Sequence, residues 1–410
     1  MTIAIVDGYS TGAALARRLQ KQGAQCVHLQ SRPEVNAFLG QSFEAGAYSI
    51  DLGYIADLRT VTDRLTELGV TRVTAGSESG VTLAETLAHR LGLPTNSATQ
   101  RGARRDKHLM AQAVASAGLA TPLATLAHTP DSAATWFETS KVREAVVKPI
   151  ASAGTDNVRF CRNPHEVKAA AAAILGARTV FGEANHAVLV QERLHGTEFY
   201  INTVSHEGHH RVAEMWRYTK QLGEKSIPVY DYEEPVATTT EEGRTLRQFT
   251  VAVLDALGIR SSPAHTEVML TDSGPVLIES GARLGGATDP DVVERYCGIS
   301  QTGLAAQALI DPQALVDFDD TQTTWTGTVR NVEFVNHRSG RADGTAPARV
   351  NDLPSAVSVH FAVAPGELLP PTGDLLSSPG YAYLAASDRC VVERDYELLR
   401  IWEREGLHTV

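Results

Sequence analysis

Two glutamates and an arginine crowd into residues 264–286, Ala-His-Thr-Glu-Val-Met-Leu-Thr-Asp-Ser-Gly-Pro-Val-Leu-Ile-Glu-Ser-Gly-Ala-Arg-Leu-Gly-Gly. The runs Glu267–Leu270 and Val276–Ile278 flank a turn at 271–275, which reads as a β-hairpin. One strand carries Glu267, the other Glu279, and Arg283 follows four residues later. Hard divalent cations such as Mg²⁺ take oxygen ligands and usually carry substrate phosphates. A guanidinium beside them suits phosphate or carboxylate charge. These residue types at this spacing suit the metal end of a phosphoryl-transfer site. They equally describe two solvated acids and a surface arginine, since charged side chains are mostly exposed. Gly281, Gly285 and Gly286 weigh against that plainer description. Glycine costs conformational entropy in a regular element and suits backbone that passes close to a ligand.

Two further segments carry chemistry. Val146-Val-Lys148-Pro-Ile-Ala-Ser152-Ala153-Gly154-Thr155 ends an apolar strand on a lysine and continues into a loop of small residues. Such a loop lets backbone N–H groups approach phosphate oxygens, with the lysine as a compact charge. The spacing is not that of a Walker A loop, and a hairpin with a surface lysine is the alternative. Val188–Glu198 runs from a strand through Gln191-Glu192-Arg193-Leu194 to Glu198. That connection offers backbone groups and a carboxylate to a purine and its ribose, or is a routine link between strands. Trp216-Arg217-Tyr-Thr-Lys220 and Tyr230-Asp-Tyr-Glu-Glu234 mix aromatic rings with charge, which suits a small zwitterion or a surface loop.

These segments need elements to hold them. Thr2–Asp7, Ala24–Leu29 and Val70–Thr74 read as strands, and Gly12–Gln22, Asp57–Leu68 and Val81–Leu91 as helices. That alternation predicts a doubly wound parallel sheet over 1–96. The turn Asp7-Gly-Tyr-Ser-Thr-Gly12 lacks the dinucleotide fingerprint; Ser77-Glu-Ser-Gly80, at a strand's carboxyl end, can face a ligand. A helix is expected over 97–117 within a linker at 97–130. An α+β unit follows over 131–200 and a second over 201–322, where Gly223–Pro235 is expected as a loop. Residues 323–410 read as a small β-rich terminal domain, with Cys390–Arg394 as one of its strands.

The 410 residues exceed one typical core, and 43% apolar with 21% charged content describes an ordinary globular protein. A net charge of −11 argues against general nucleic-acid or anionic-membrane binding. Cys26, Cys161, Cys297 and Cys390 are scattered and read as reduced thiols. No secretory leader and no apolar run long enough to span a membrane are recognised, so the expected compartment is the cytoplasm.

The order Lys107, Lys148, Glu198, Glu267, Glu279, Arg283 now matters. With Val-Val-Lys-Pro-Ile-Ala-Ser-Ala-Gly-Thr, Trp-Arg-Tyr-Thr-Lys, Pro-Ala-His-Thr-Glu-Val-Met-Leu and Ile-Glu-Ser-Gly-Ala-Arg-Leu-Gly-Gly, the chain resembles the ATP-grasp ligases over essentially its whole length. Within them it is most similar to the L-amino acid ligases. The resemblance implies an ATP-grasp fold preceded by the parallel-sheet domain. It implies that Lys107 and Lys148 hold ATP phosphates beneath a loop at Ser152, Ala153, Gly154 and Thr155. Gln191, Glu192 and Leu194 would line the adenine pocket, and Glu198 would take the ribose hydroxyls. Glu267 and Glu279 would bind Mg²⁺ or Mn²⁺, and Arg283 would stabilise the acyl phosphate. Many ATP-grasp chains carry Asn where this one has Gly281, which leaves open whether one metal ion binds or two.

The implied reaction joins two amino acids. ATP phosphorylates one carboxylate, and an amine then displaces phosphate. His265 and Glu214 are candidates to accept the amine proton. Glu214, Trp216, Arg217, Tyr230, His265, Gly285 and Gly286 are the candidate contacts for the amino acids. A homodimer is expected from the resemblance, with no nucleic-acid or membrane partner. Two other readings stand beside this one: a ligase or carboxylase of another small carboxylate, and a non-catalytic nucleotide-binding protein.

Overall fold

The computed structural model describes residues 1–35, 40–151, 157–179, 182, 184–222 and 228–410. The chain opens with β1 (Thr2–Val6), α1 (Thr11–Lys21), β2 (Gln25–Gln30), β3 (Ile50–Tyr54), α2 (Leu58–Glu67), β4 (Val70–Ala75) and α3 (Val81–Arg90). The strands form a parallel sheet in the order β3-β2-β1-β4, as the alternation predicts. Ile3, Ala4, Ile5 and Val6 have no exposed surface, as expected of a strand covered on both faces. Both turns singled out above stand at carboxyl ends of these strands, where open α/β sheets take ligands.

Where one long helix was expected over 97–117, a 3₁₀ turn at Gly102–Arg104 precedes α4 (Lys107–Ser116). The Asp106 side chain accepts from the N–H groups of His108 and Leu109, so α4 begins at Lys107. Next come β5 (Ala124–Ala127), α5 (Pro130–Ser140), β6 (Ala145–Pro149), β7 (Arg159–Cys161), α6 (Pro164–Ile174) and β8 (Val188–Glu192). They form an antiparallel sheet ordered β5-β8-β6-β7, backed by α5 and α6 around Phe137, Val147, Val167 and Val190. The sheet begins inside the segment expected as a linker.

The largest layer is built from β9 (Thr197–His206), β10 (His209–Leu222), β11 (Pro228–Pro235), β12 (Pro263–Thr271) and β13 (Gly274–Gly281), with α7 (Glu241–Ala256) behind it. Then follow α8 (Pro290–Cys297), α9 (Gln301–Ile310), α10 (Pro312–Asp317), β14 (Thr328–Glu333), β15 (Gly340–Arg341), α11 (Ala346–Asn351), β16 (Ala356–Phe361), β17 (Leu368–Leu369), β18 (Gly380–Ala386) and α12 (Arg389–Glu405). The sheet runs β13-β12-β9-β10-β11-β14-β18-β16, so the terminal segment extends the central sheet without a break in hydrogen bonding. On β9, Phe199 and Ile201 pack with Leu246 and Val253 of α7, while Tyr200 faces the other way.

Two expectations are corrected here. Residues 228–235 of the presumed loop are strand β11; residues 223–227 lie outside the described residues. The strand expected at Cys390–Arg394 is instead the first turns of α12, with Val392, Asp395, Leu399 and Glu403 buried at helical spacing. Among the described residues no helix is long and apolar enough to cross a membrane.

Candidate active site

A cleft of about 1320 Å³ opens between the parallel sheet, the β5–β8 layer and the large antiparallel sheet. The β12–β13 hairpin forms one wall. Its turn needs only Asp272 and Ser273, because Thr271 pairs with Gly274, whose φ of +112° glycine readily adopts. That pairing places Glu267 directly opposite Glu279, and both line the cleft.

Cations converge on these acids. Lys107, the first residue of α4, sets its Nζ 3.0 Å from Glu279 Oε2. Lys148, next to last in β6, is buried; burial, with Lys107 adding to it, depresses its ammonium to about 8 against the pull of Glu279. Lys220 lies 2.6 Å from Glu198 Oε1 and over the rings of Tyr218 and Tyr230, at 4.5 and 4.4 Å. Burial raises the Glu198 carboxyl, with Lys220 opposing it. Burial also opposes ionisation of Glu267, but contact with the His265 ring and the charges of Lys220 and Lys148 outweigh it, and its pKa falls well below the usual range.

Arg283 points its Nε at Glu78 Oε2, 3.0 Å away, while its Nη1 donates to the Leu284 carbonyl at 2.9 Å. Glu78 stands just after β4 and also pairs with Arg105. Burial would raise the Glu78 carboxyl, yet the two guanidiniums hold it low. A carboxylate from the parallel-sheet domain thus braces the arginine of the hairpin.

Of the residues singled out in the sequence, the structure brings Lys107, Lys148, Gln191, Leu194, Glu198, Tyr230, His265, Glu267, Glu279, Arg283, Gly285 and Gly286 to this cleft. Ser152, Ala153, Gly154 and Thr155 lie outside the described residues. Four others do not line the cleft. Trp216 is fully buried against Tyr200, Trp325 and Tyr383. Arg217 pairs with Glu242 at 2.7 Å and covers Phe199. Glu192 is the half-buried last residue of β8, its N–H bonded to the Leu123 carbonyl. Glu214 is buried behind the site, where it accepts from Asn202 Nδ2 at 3.0 Å. Asn202 Oδ1 in turn meets His265 Nδ1 at 2.8 Å. Burial lowers the His265 pKa, and Glu267, whose Oε1 lies 3.6 Å from Nε2, opposes it. Gly285 belongs to this arrangement, since a Cβ there would stand 2.9 Å from both Asn202 side-chain termini and 3.2 Å from His265 Nδ1.

Sequence reading missed several cleft residues. Glu78 sits in the turn read as able to face a ligand, and Ser10 and Thr11 in the first turn, which lacks the dinucleotide fingerprint, so position relative to the strands was the available signal. Glu233 and Glu333 line the far side of the cleft, and burial raises their carboxyls to about 7 and about 8. Glu233 lies inside the Tyr230-Asp-Tyr-Glu-Glu234 segment read as suiting a small zwitterion, whereas the neighbourhood of Glu333 gives no hint of a site. None of the cysteines lines the cleft, and burial raises the thiols of Cys26, Cys161 and Cys297. Ser205, His210 and Asp255 do form a hydrogen-bonded line, but away from the cleft and with Ser205 buried, where it ties β9 and β10 to α7.

Two opposed carboxylates in one cleft suit a hard cation that shares its coordination with phosphate oxygens. Among the described residues no group of three or more His, Cys, Asp or Glu is placed to hold a metal alone. The donor set fits a metal ion that arrives with a nucleotide.

A cleft between three layers, one wall a hairpin bearing paired acids and an arginine and the facing wall a lysine-ended strand, defines a nucleotide-dependent ligase of the ATP-grasp class. Residues 142–291 match the ATP-grasp domain family. The chain is 32% identical to dapdiamide A synthase of Enterobacter agglomerans, over 99% of this chain and 96% of the relative. The protein belongs to the ATP-grasp family and is an ATP-grasp ligase. Its fold is similar to the L-amino acid ligase of Bacillus licheniformis, with a TM-score of 0.75, 21% identity and coverage of 98% of this chain and 97% of that one. It is also similar to carboxyaminoimidazole ribonucleotide synthase of Aspergillus clavatus complexed with ATP, with a TM-score of 0.70, 14% identity and 98% of both chains covered.

Proposed function

We propose that this ligase joins the carboxylate of one amino acid to the amine of another, consuming ATP through an acyl phosphate and releasing ADP and phosphate. The observation that carries the proposal is the convergence of Glu267, Glu279, Lys107, Lys148 and Arg283 on one cleft. The full-length similarity to a dapdiamide synthase supports an amide product.

Lys148 and Lys107 hold the nucleotide phosphates, and phosphate charge favours the ammonium form of Lys148 further. Gln191 and Leu194 flank the base, and Glu198, paired with Lys220, takes the ribose hydroxyls. Glu267 and Glu279 hold Mg²⁺ or Mn²⁺, which neutralises phosphate charge when bound. Arg283 meets the substrate carboxylate as it is phosphorylated and the tetrahedral centre that follows. A carboxylate alone would have to expel oxide, whereas its mixed anhydride with phosphate expels phosphate, so the chain needs no nucleophile of its own. Neutral His265 offers Nε2 to the proton leaving the amine, with Asn202 and Glu214 fixing its tautomer.

The experiment is phosphate release from ATP and Mg²⁺ across a matrix of amino acid pairs, with the product identified by mass. ADP and phosphate, in step with a dipeptide, are expected. AMP and pyrophosphate would overturn the acyl-phosphate route. Glu279→Ala should lose at least about a hundredfold in kcat, and full activity in that variant would remove the metal assignment.

A further inference from the structure

We propose that Glu233 and Glu333, lining the cleft away from the metal acids, form a subsite for the terminal cation of a basic amino acid substrate of lysine type. The inference rests on the ligase reading above and deepens it by naming a substrate class. Glu233 of β11 pairs with Asn331 of β14, and Glu333 stands two residues further along β14, so both project from one face of the sheet. Both line the cleft, at 8% and 4% exposure. Glu233 Oε2 accepts from the Tyr200 hydroxyl at 2.9 Å and from Asn331 Nδ2 at 3.1 Å. Glu333 supplies the second, independent observation. Its side chain meets one donor among the described residues, Ser378 Oγ at 3.3 Å. That hydroxyl has a single proton and two nearer acceptors, the carbonyls of Gly380 at 2.9 Å and Phe334 at 3.0 Å. The Glu333 carboxyl is thus left without a committed donor, and its Oε1 has no partner among the described residues while staying open to the cleft. An acid unpaired at such depth costs free energy, which a ligand cation can recover.

Charge selects a cation. Lys220 is paired with Glu198, and Arg400, which donates to the backbone carbonyl of Glu333, is paired with Asp231 and Glu403. The rings agree: Tyr381 stands opposite Glu333 across β14 and β18, its centroid 5.1 Å from that of His360, and both line the cleft. Aromatic faces beside an acid suit a cation. The same cleft shows the arrangement with a lysine of the chain itself, Lys220 on Glu198 and over the rings of Tyr218 and Tyr230. Two carboxyls do not supply the about six oxygens that a hard divalent ion takes, whereas they suffice for an organic cation. Distance then selects the length of the ligand. The strands β12, β9, β10 and β11 are consecutive in the sheet, so Glu267 and Glu233 stand three spacings apart, roughly 14 Å at the backbone. An α-ammonium, one carbon from its own carboxylate, cannot leave the metal end for these acids. The terminal group of a lysine-type side chain can, with the glutamate side chains taking up the rest of the span.

The test compares L-lysine with L-norleucine, which keeps the four side-chain carbons and lacks the cation. Each is offered with the same panel of partner amino acids, ATP and Mg²⁺. In the wild type the kcat/KM for lysine should exceed that for norleucine at least tenfold. Glu333→Gln and Glu233→Gln, which keep the shape of the neutral acid, should each lower that ratio at least fivefold. Calorimetry makes the same comparison without turnover: the wild-type protein with ADP and Mg²⁺ should bind lysine at least tenfold more tightly than norleucine. Equal kcat/KM and equal affinity for the two overturn the subsite while leaving the ligase intact, and this arm needs no variant to fold. A ratio that survives both glutamine substitutions overturns it too. Phosphate release from no pair at all overturns the ligase reading, and the calorimetric comparison then still decides the subsite.

Discussion

Side chain by side chain, the site is a set of charges that burial makes costly and partners make tolerable. Glu78 shows how this works. Its carboxylate lies 3.0 Å from the Arg283 Nε and so sets where that guanidinium points. Glu78→Gln should lower kcat about 10–100-fold while the KM for ATP stays within about twofold, read by steady-state kinetics; an unchanged kcat would show that Arg283 is held without it. Glu333 makes a different statement, about pH. Its pKa is raised to about 8 by burial and by Glu233, above the ordinary glutamate value of about 4.3. A raised carboxyl stabilises the fold fully below its unfolded pKa, and that stability is lost as pH rises through the folded value. The ligand-free protein should therefore lose melting temperature between roughly pH 5 and pH 8, and Glu333→Gln should flatten that fall. An identical slope in the variant would assign the loss elsewhere.

At the level of elements, the connection between β8 and β9 has to pass the end of the hairpin. Gly196 makes the crossing, where a Cβ would sit 2.2 Å from the Leu270 carbonyl oxygen. Gly196→Ala should cost roughly 1–3 kcal/mol in thermal unfolding and raise the KM for ATP, because Leu194 and Glu198 flank it. A variant as stable as wild type would show that the crossing can relax. The hairpin was the most legible element because its period-2 runs, its turn and its glycines are all local. The β1–α1 and β4–α3 turns were legible as places but not as contacts, since what they face comes from residues some two hundred positions away. Trp216 and Arg217 misled for a physical reason. Alternation along β10 sends successive side chains to opposite faces, and Trp216 is covered by Trp325 and Tyr383 from a segment that sequence cannot place over it. The start of α12 misled because Val391-Val392 beside Cys390 favour a strand, until the Asp388 cap and the buried stripe out to Glu403 decide for a helix.

For the whole molecule, the paired acids Glu267 and Glu279 come from separate strands, and among the described residues no group of three or more His, Cys, Asp or Glu is placed to hold a metal alone. A chelator should therefore abolish phosphate release while leaving the melting temperature of the ligand-free protein unchanged. A fall in that temperature would reveal a structural metal. The layers are joined unequally. Arg104 is 1% exposed and clamps Glu85 of α3 at 2.6 and 2.7 Å while donating to the carbonyls of Leu257 and Ser97, both at 2.8 Å. One apolar cluster runs from Val6 and Val73 of the parallel sheet to Phe199 and Val253 of the central body, whereas the β5–β8 layer packs around a cluster of its own.

That inequality has a mechanical consequence. Two of the three walls share a core, so Glu78, Arg283 and the hairpin acids take their spacing from one body of packed residues. Lys148 stands on the wall with a core of its own. A displacement of that wall would change the distance from Lys148 to the acids while leaving the acids and Arg283 in register with one another.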